Sequence, residues 1–285
     1  MSRIGIIGGS GLYDIDGIKD VERVEVITPF GRPSDSFTTG KLAGHDVVFL
    51  PRHGSGHTLL PSELPFRANI YAMKKLDVEQ IIAVSAVGSM REEIRPLDIV
   101  IPDQFFDRTK ARENTFFGGG IVAHVGFADP LCGAMGDALH RAAKQVEARV
   151  HRGGIYVCME GPHFSTRAES ETYRRLGASV IGMTNLQEAK LAREAEICYA
   201  TLALSTDYDC WHVGEEDVTV EMIVTNLLKN VETAKKIIKV AIPELPSLRK
   251  CPCATALKDA IITRPDAIPK KRKKELELII GKYIK

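Results

Sequence analysis

Net charge is almost absent from this chain: 38 lysines and arginines stand against 37 acids, leaving +1. So balanced a chain has no global field to gather nucleic acid or an anionic membrane, and a small-molecule ligand is the expectation. No apolar run approaches the ~18 residues of a membrane helix. Met1-Ser2-Arg3-Ile4-Gly5 enters a strand without a signal-peptide pattern, so a cytoplasmic protein is expected. No internal repeat of solenoid period is present either. Of the six cysteines, Cys132, Cys158, Cys198 and Cys210 stand singly in or beside apolar segments and read as buried structural thiols. Cys251-Pro252-Cys253 could close a local disulfide, bind a soft metal or do neither. A reducing compartment favours thiols, and no second pair is there to complete a zinc site, so no metal is expected.

At 285 residues and 44% hydrophobic content, the chain can build one large core. Strand signals over residues 4–7, 46–50, 80–85, 98–101, 154–159, 179–183 and 197–204 alternate with helical stretches over 65–75, 130–146, 167–176 and 186–194. That alternation argues for an α/β fold of three layers in a single domain, a mixed, mostly parallel central sheet flanked by helices. A last long helix begins near Val220 and runs past Lys235. Val220, Ile223, Val224, Leu227 and Leu228 fall at three-four spacing and mark one buried stripe. The main domain is expected over 1–243. From 244 to 285 a tail carries the cysteine pair and Lys270-Lys271-Arg272-Lys273-Lys274, read as a solvated amphipathic helix packed on the same domain.

Chemistry concentrates at strand ends. The apolar run 197–203 leads into Leu204-Ser205-Thr206-Asp207-Tyr208-Asp209, where two carboxylates emerge together. Ligands of open α/β sheets gather at the carboxyl ends of strands, and Asp207 and Asp209 project to one side if the extended conformation continues. They could chelate a metal, cap a helix or do proton work on a heterocycle; for a metal, no third carboxylate sits close in sequence. Gly8-Gly9-Ser10-Gly11 is a strand entering a glycine turn, either a phosphate cradle or simply a tight turn. It carries neither the dinucleotide fingerprint nor a P-loop lysine. Pro51-Arg52-His53-Gly54 ends a second strand with groups suited to phosphate oxygens. A third strand end at Ser85-Ala86 and a fourth at Met183-Thr184 each present a hydroxyl as the chain turns. Phe164 and Ser165 precede a helix, where the ring is either core or a platform for a flat base.

These motifs, with Ser85-Ala86-Val87-Gly88-Ser89 and Glu160-Gly161-Pro162, are similar in order and spacing to those of the trimeric nucleoside phosphorylases, from about Arg3 to about Pro243. The resemblance implies that fold and a phosphate site at Ser10, Arg52, His53, Ser85, Ala86 and Thr184. It implies Met183 under a ribose, Phe164 and Ser165 bordering the base, and Thr206, Asp207, Tyr208 and Asp209 around the purine edge, with Asp207 and Asp209 in the catalytic role. It further implies Val220, Ile223 and Val224 at a 5'-alkylthio group, His124 closing the same pocket from a neighbouring subunit, and a homotrimer or a hexamer of two trimers. The family's 6-oxopurine branch has asparagine where this chain has Asp207. A carboxyl group suits a 6-aminopurine, accepting from its amino group while a protonated oxygen serves N7. The implied reaction is reversible phosphorolysis of 5'-methylthioadenosine to adenine and 5-methylthioribose 1-phosphate. Inorganic phosphate is then a co-substrate and no cofactor is needed. The alternatives are phosphorolysis of purine nucleosides or of methylthioinosine, and, in another class, nucleotide binding without catalysis. The chain departs from the family's pattern at Ser55, at His163 and over Asn185-Leu186-Gln187-Glu188.

Overall fold

The computed structural model describes residues 3–9, 12, 15–212, 220–247 and 249–284, with the side chains of 220, 222 and 223 left aside. Eleven strands form one mixed sheet: β1 (Arg3–Gly8), β2 (Lys19–Val24), β3 (Phe37–Leu42), β4 (His45–Pro51), β5 (Val78–Ser89), β6 (Ile99–Ile101), β7 (Gln104–Arg108), β8 (Val150–Arg152), β9 (Ile155–Met159), β10 (Ala178–Gly182) and β11 (Cys198–Asp207). The helices are α1 (Phe66–Lys75), α2 (Gly133–Gln145), α3 (Arg167–Arg175), α4 (Asn185–Glu194), α5 (Val220–Glu244), α6 (Lys270–Glu275) and α7 (Glu277–Ile280). The main path runs β2-β3-β4-β1-β5-β10-β9-β7, with β11 on the other side of β5 and β6 and β8 beyond it. Pairing is parallel for β4-β1-β5-β11, β10-β9-β7 and β6-β8, and antiparallel for β2-β3-β4, β5-β10 and β6-β11. The expected mixed, mostly parallel sheet is therefore the one found.

Burial explains which runs could be read as strands. β1, β10 and β11 are covered on both faces and carry nearly unbroken apolar runs. Strands β2, β3, β7 and β8 escape the sequence reading because they are short or partly exposed, with Lys, Glu, Thr and Gln between their apolar positions. One face of the sheet packs against α1, α4 and the tail, where Phe66, Ile70, Leu191, Leu257, Leu276 and Ile280 share one apolar cluster. The other face packs against α2 and α5 through Met135, Leu139, Ala234, Ile237, Ile238 and Ile242. Two helical layers thus enclose the sheet.

Three expectations are corrected here. β5 does not turn at Ser85 but continues through Ser89, because β11 pairs with it from Gln80 to Gly88. In α5, Val224 and Leu228 are exposed, and the buried positions are Asn230, Ala234, Ile237, Ile238, Ala241 and Ile242. Asn226 and Asn230 donate Nδ2–H to the carbonyls of Thr206 and Ser205, each at 2.8 Å, which turns that side of the helix toward β11. At about 100° per residue, Val224 and Leu228 then lie roughly opposite Asn226. In the tail, Arg272 is not solvated: it donates to the carbonyls of Phe116 and Gly118, at 2.7 and 3.2 Å.

Candidate active site

The sheet opens at its centre. β11 covers one edge of β5 throughout, leaving β1 and β10 to share the other. The β1 pairing stops at Ile7↔Ala83, and β10 starts only at Ile181↔Gly88. No strand among the described residues covers Val84–Val87 on that side, and Ser85 and Ala86 lie within this gap. A crevice where neighbouring strands diverge, at their carboxyl ends, is where α/β sheets bind ligands.

Arg52 follows β4 at the rim of the gap and is 2% exposed. Its Nη1–H reaches the carbonyl of Val84 at 2.8 Å, while Nε and Nη2 donate to the two oxygens of Glu188 at 2.5 and 3.1 Å. Tyr199 donates its hydroxyl to the same carboxylate at 2.7 Å. The fork read as free for bidentate phosphate binding is thus held by Glu188, and burial is the reason: a desolvated guanidinium needs a counter-charge. The donating role given to His53 is also revised. Its Nδ1 lies 2.8 Å from the carbonyl of Leu59, which only accepts, so Nδ1 carries the proton and Nε2 faces away as an acceptor. Burial holds the imidazole down at about 4, with Arg52 and His57 adding like-charge repulsion. His57 stacks on it with ring centroids 4.2 Å apart.

Hydroxyl groups from β5, from β9 and from the residue before α4 meet at the gap. Ser85 Oγ lies 3.1 Å from the Tyr156 hydroxyl and 3.5 Å from Thr184 Oγ1. Thr184 is the residue before α4, and its hydroxyl donates to Asn185 Oδ1 at 2.9 Å rather than capping the helix. The start of α4 thus has no side-chain cap, and its helix dipole favours an anion nearby, although the Leu186 amide of its first turn already donates to the Cys158 thiol. Gly182 makes room for this arrangement: a Cβ there would sit 1.9 Å from the Tyr156 hydroxyl. Ser10, at the glycine turn, lies outside the described residues.

Three residues farther along β5, Gly88 faces Asp207 in the β11 ladder. Asp207 is 6% exposed; its Oδ2 accepts from Thr206 Oγ1 at 2.6 Å and its Oδ1 from the amide of Asp209 at 2.8 Å. The extended conformation does not continue: Asp209 has φ 54, a left-handed turn closed by that same bond. The two carboxylates therefore do not project side by side as a strand would place them. Burial raises the Asp209 carboxyl above its ordinary range. Tyr208 is turned away, its ring stacked on His212 and its hydroxyl donating to the carbonyl of Glu92 at 3.3 Å.

Cys210 links this turn to Ser165, donating Sγ–H to the Ser165 carbonyl at 3.3 Å. Ser165 stands just before α3, whose start is fixed by reciprocal bonds between Thr166 and Glu169. Phe164 beside it is 51% exposed, so its ring is not core. Met183 packs where a Cβ on Gly161 would come within 2.6 Å of its sulfur.

The sequence reading overlooked Arg112, which is buried and donates to the carbonyls of Met159, Glu160 and Met183, to the Glu160 carboxylate and to Gln187 Oε1. One side chain thus ties β9, β10 and α4 together around Met183. No local signal could have found it, because all its partners are 47 or more residues away. His124 stands apart from these groups: it is exposed, and its amide donates to the Ala260 carbonyl of the tail at 2.9 Å. The side chains of Val220 and Ile223 lie outside the described residues, and Val224 is 47% exposed.

Known proteins share this fold. The sequence profile of the phosphorylase superfamily matches residues 3–243. An S-methyl-5'-thioadenosine phosphorylase of Geobacter sulfurreducens is 61% identical over 282 residues, covering 99% of each chain. A methylthioadenosine phosphorylase crystal structure from an antarctic soil metagenomic library superposes with TM-score 0.93 at 50% identity, covering 98% of each chain. The methylthioadenosine phosphorylase of Schistosoma mansoni, solved with adenine, gives TM-score 0.83 at 35% identity, over 93% of this chain and 100% of that one. This chain belongs to the phosphorylase superfamily and, within it, to the S-methyl-5'-thioadenosine phosphorylase family.

Proposed function

We propose that the chain catalyses the reversible phosphorolysis of S-methyl-5'-thioadenosine to adenine and 5-methylthioribose 1-phosphate, a salvage reaction of the cytoplasm. The observation that carries this reading is the uncovered stretch of β5, with the hydroxyls of Tyr156 and Thr184 beside Ser85 and a carboxylate opposite Gly88. Three residues of strand separate them by about 10 Å. That length suits a phosphate, a ribose carbon and a purine edge in a row. Relatives of the same name, similar over nearly the whole chain, support it.

Phosphate is the co-substrate and no organic cofactor enters the reaction. The anion is held by neutral donors: the hydroxyl of Ser85, that of Thr184 on turning from Asn185 Oδ1 to the anion, the start of α4, the amide of Ala86 and the turn containing Ser10. Arg52, paired with Glu188, braces the site and offers at most one remaining N–H. Neutral His53 presents Nε2 as acceptor for the proton of monohydrogen phosphate, leaving an ionised oxygen to face C1'. As the glycosidic bond lengthens, the sugar gains cationic character next to that oxygen, and negative charge builds on the purine. Asp207 meets that charge by donating a proton toward N7, a contribution of ~10²–10⁴-fold. Asp209 shapes the turn through its amide. Met183 lies under the ribose, with Phe164, Ser165 and Thr206 beside the base.

The 5' substituent meets the start of α5, at Val220, Ile223 and Val224. His124 of a neighbouring subunit closes this end in a homotrimer, or a hexamer of two trimers. An apolar lining there favours methylthio over hydroxyl by ~1–3 kcal/mol, roughly ten- to a hundredfold. The test is release of free base from methylthioadenosine, adenosine, inosine and methylthioinosine, each with and without phosphate. Phosphate-dependent release from methylthioadenosine ahead of the others is expected. Equal specificity constants for adenosine and methylthioadenosine, or preference for a 6-oxopurine, would overturn the assignment, and no release at all would leave binding alone.

A further inference from the structure

Far from that crevice, four cysteines meet. The Sγ atoms of Cys132, Cys198, Cys251 and Cys253 all lie within 4.8 Å of one another, and those of Cys198 and Cys251 are 3.3 Å apart. This corrects the reading of Cys132 and Cys198 as single thiols: they are the second pair that the sequence does not show. We propose that the four thiolates bind one zinc ion as a closed structural site, independently of the phosphorylase assignment.

Geometry supports the proposal. A tetrahedral zinc tetrathiolate has Zn–S bonds of about 2.3 Å, which sets the sulfur–sulfur edges near ~3.8 Å. A disulfide needs about 2.0 Å. Every spacing is at most 4.8 Å, and the 3.3 Å between Cys198 and Cys251 is nearer the first value than the second. Cys132, Cys198 and Cys253 are buried and Cys251 is half-buried, so the ion would be shielded yet reachable from one side. Cys132 precedes α2, Cys198 opens β11, and Cys251 and Cys253 flank the start of a short 3₁₀ turn, Pro252–Thr255, that holds both at once.

The surroundings suit a thiolate cluster. Cys132 is the residue before α2, at the positive end of the helix dipole, which favours a thiolate. Four thiolates on a dication leave a charge of −2, and Lys250 lines the cavity beside them with Gln80, Met135 and Arg249, whose guanidinium is also paired with Glu79. Thiolate sulfur with four ligands in a tetrahedron selects zinc among divalent ions, and four protein ligands leave no open position for catalysis. The site also lies at the wrong end for catalysis. Cys198 and Asp207 begin and end β11, about 30 Å apart at ~3.3 Å per residue.

Its consequence is mechanical. Cys253 belongs to the apolar cluster of α2 and α5, whereas Leu257 belongs to that of α1 and α4, so the tail crosses between layers immediately after the cysteines. Farther on it holds the segment bearing His124 through Ala260, and the loop at Phe116 and Gly118 through Arg272. Zinc at the crossing would clamp the start of the tail to α2 and β11.

The full-length chain, grown with zinc and purified under reducing conditions without chelator, should contain about one zinc per chain by elemental mass spectrometry. Cobalt reconstitution should give the intense visible bands of a tetrahedral tetrathiolate. Cys253→Ser should lose the zinc, and limited proteolysis should then cut within 249–284, while Cys158→Ala should keep the metal. A metal-free wild type with its cysteines titrating as free thiols would overturn the proposal. So would paired disulfides in the intact mass, or iron in place of zinc; none of these outcomes depends on a variant folding.

Discussion

Gly88 and Asp207 face each other across the β5–β11 ladder, and a Cβ on Gly88 would stand 2.9 Å from Asp207 Oδ1. The carboxylate thus occupies space that only a glycine leaves. Gly88→Ala should displace it, lowering kcat/KM for methylthioadenosine about ten- to a hundredfold if Asp207 supplies the acid contribution. Phosphate affinity, set three residues away, should stay within about twofold. Steady-state kinetics in both substrates checks this, and unchanged kcat/KM would show that the carboxylate is not where the chemistry needs it.

Asp207→Asn tests the acid itself. An amide oxygen keeps the bond from the Asp209 amide, and its NH2 donates to Thr206 Oγ1, whose proton goes to the Val87 carbonyl. It cannot pass a proton to N7, so turnover of 6-aminopurine nucleosides should fall by ~10²-fold or more. Thermal stability should barely move, since shape and hydrogen bonds persist. Wild-type turnover of methylthioadenosine in this variant would remove Asp207 from the role.

Arg52→Ala should act on stability before it acts on phosphate. It strands the Glu188 carboxylate, whose side chain is 0% exposed, without its cation. Breaking one partner of a buried ion pair costs about 3–5 kcal/mol. Urea denaturation should show that loss, and adding Glu188→Gln to Arg52→Ala should recover part of it. A single variant as stable as wild type would mean that the pair contributes little and the arginine is held for ligand binding.

Glu194 provides a pH dependence. Burial raises its carboxyl from 4.5 to about 7, although the amide of Phe116 and the hydroxyl of Thr115 donate to it. Between those values the folded state binds more protons than the unfolded one, so stability falls as pH rises, by roughly 3 kcal/mol once above about 7. His53 works with the opposite sign: its folded value of about 4 lies below 6.5, so its contribution is lost as pH falls through that interval. Glu194→Gln removes only the first effect. Relative to wild type, the variant should gain stability between about pH 5 and about pH 8 in denaturant titrations, and parallel curves would refute the assignment.

Sequence alone determined the elements buried on both sides and the kind of chemistry at their ends. An unbroken apolar run such as 197–204 has few alternatives to a central strand, and a polar group that follows it emerges at the sheet's carboxyl edge. Thr184, just after β10, and Asp207, at the end of β11, were legible for that reason, whereas Ser85 lies inside β5, four residues before its end. What they face was decided by tertiary structure. The gap in the β5 edge exists only because β1 stops and β10 starts where they do. Glu188 takes the guanidinium of Arg52 across 136 residues, and Arg112 reaches carbonyls on β9 and just after β10. The turn at Asp209 and the exposure of Val224 follow from bonds to Asp207 and from Asn226 and Asn230 to β11. The cysteines illustrate the same limit. Spacing along the chain shows one pair, because ligands on α2 and β11 become neighbours of the tail only when the layers close. Local propensity and periodicity act over a few residues, whereas charge pairing and metal-type clusters depend on distances that packing alone sets.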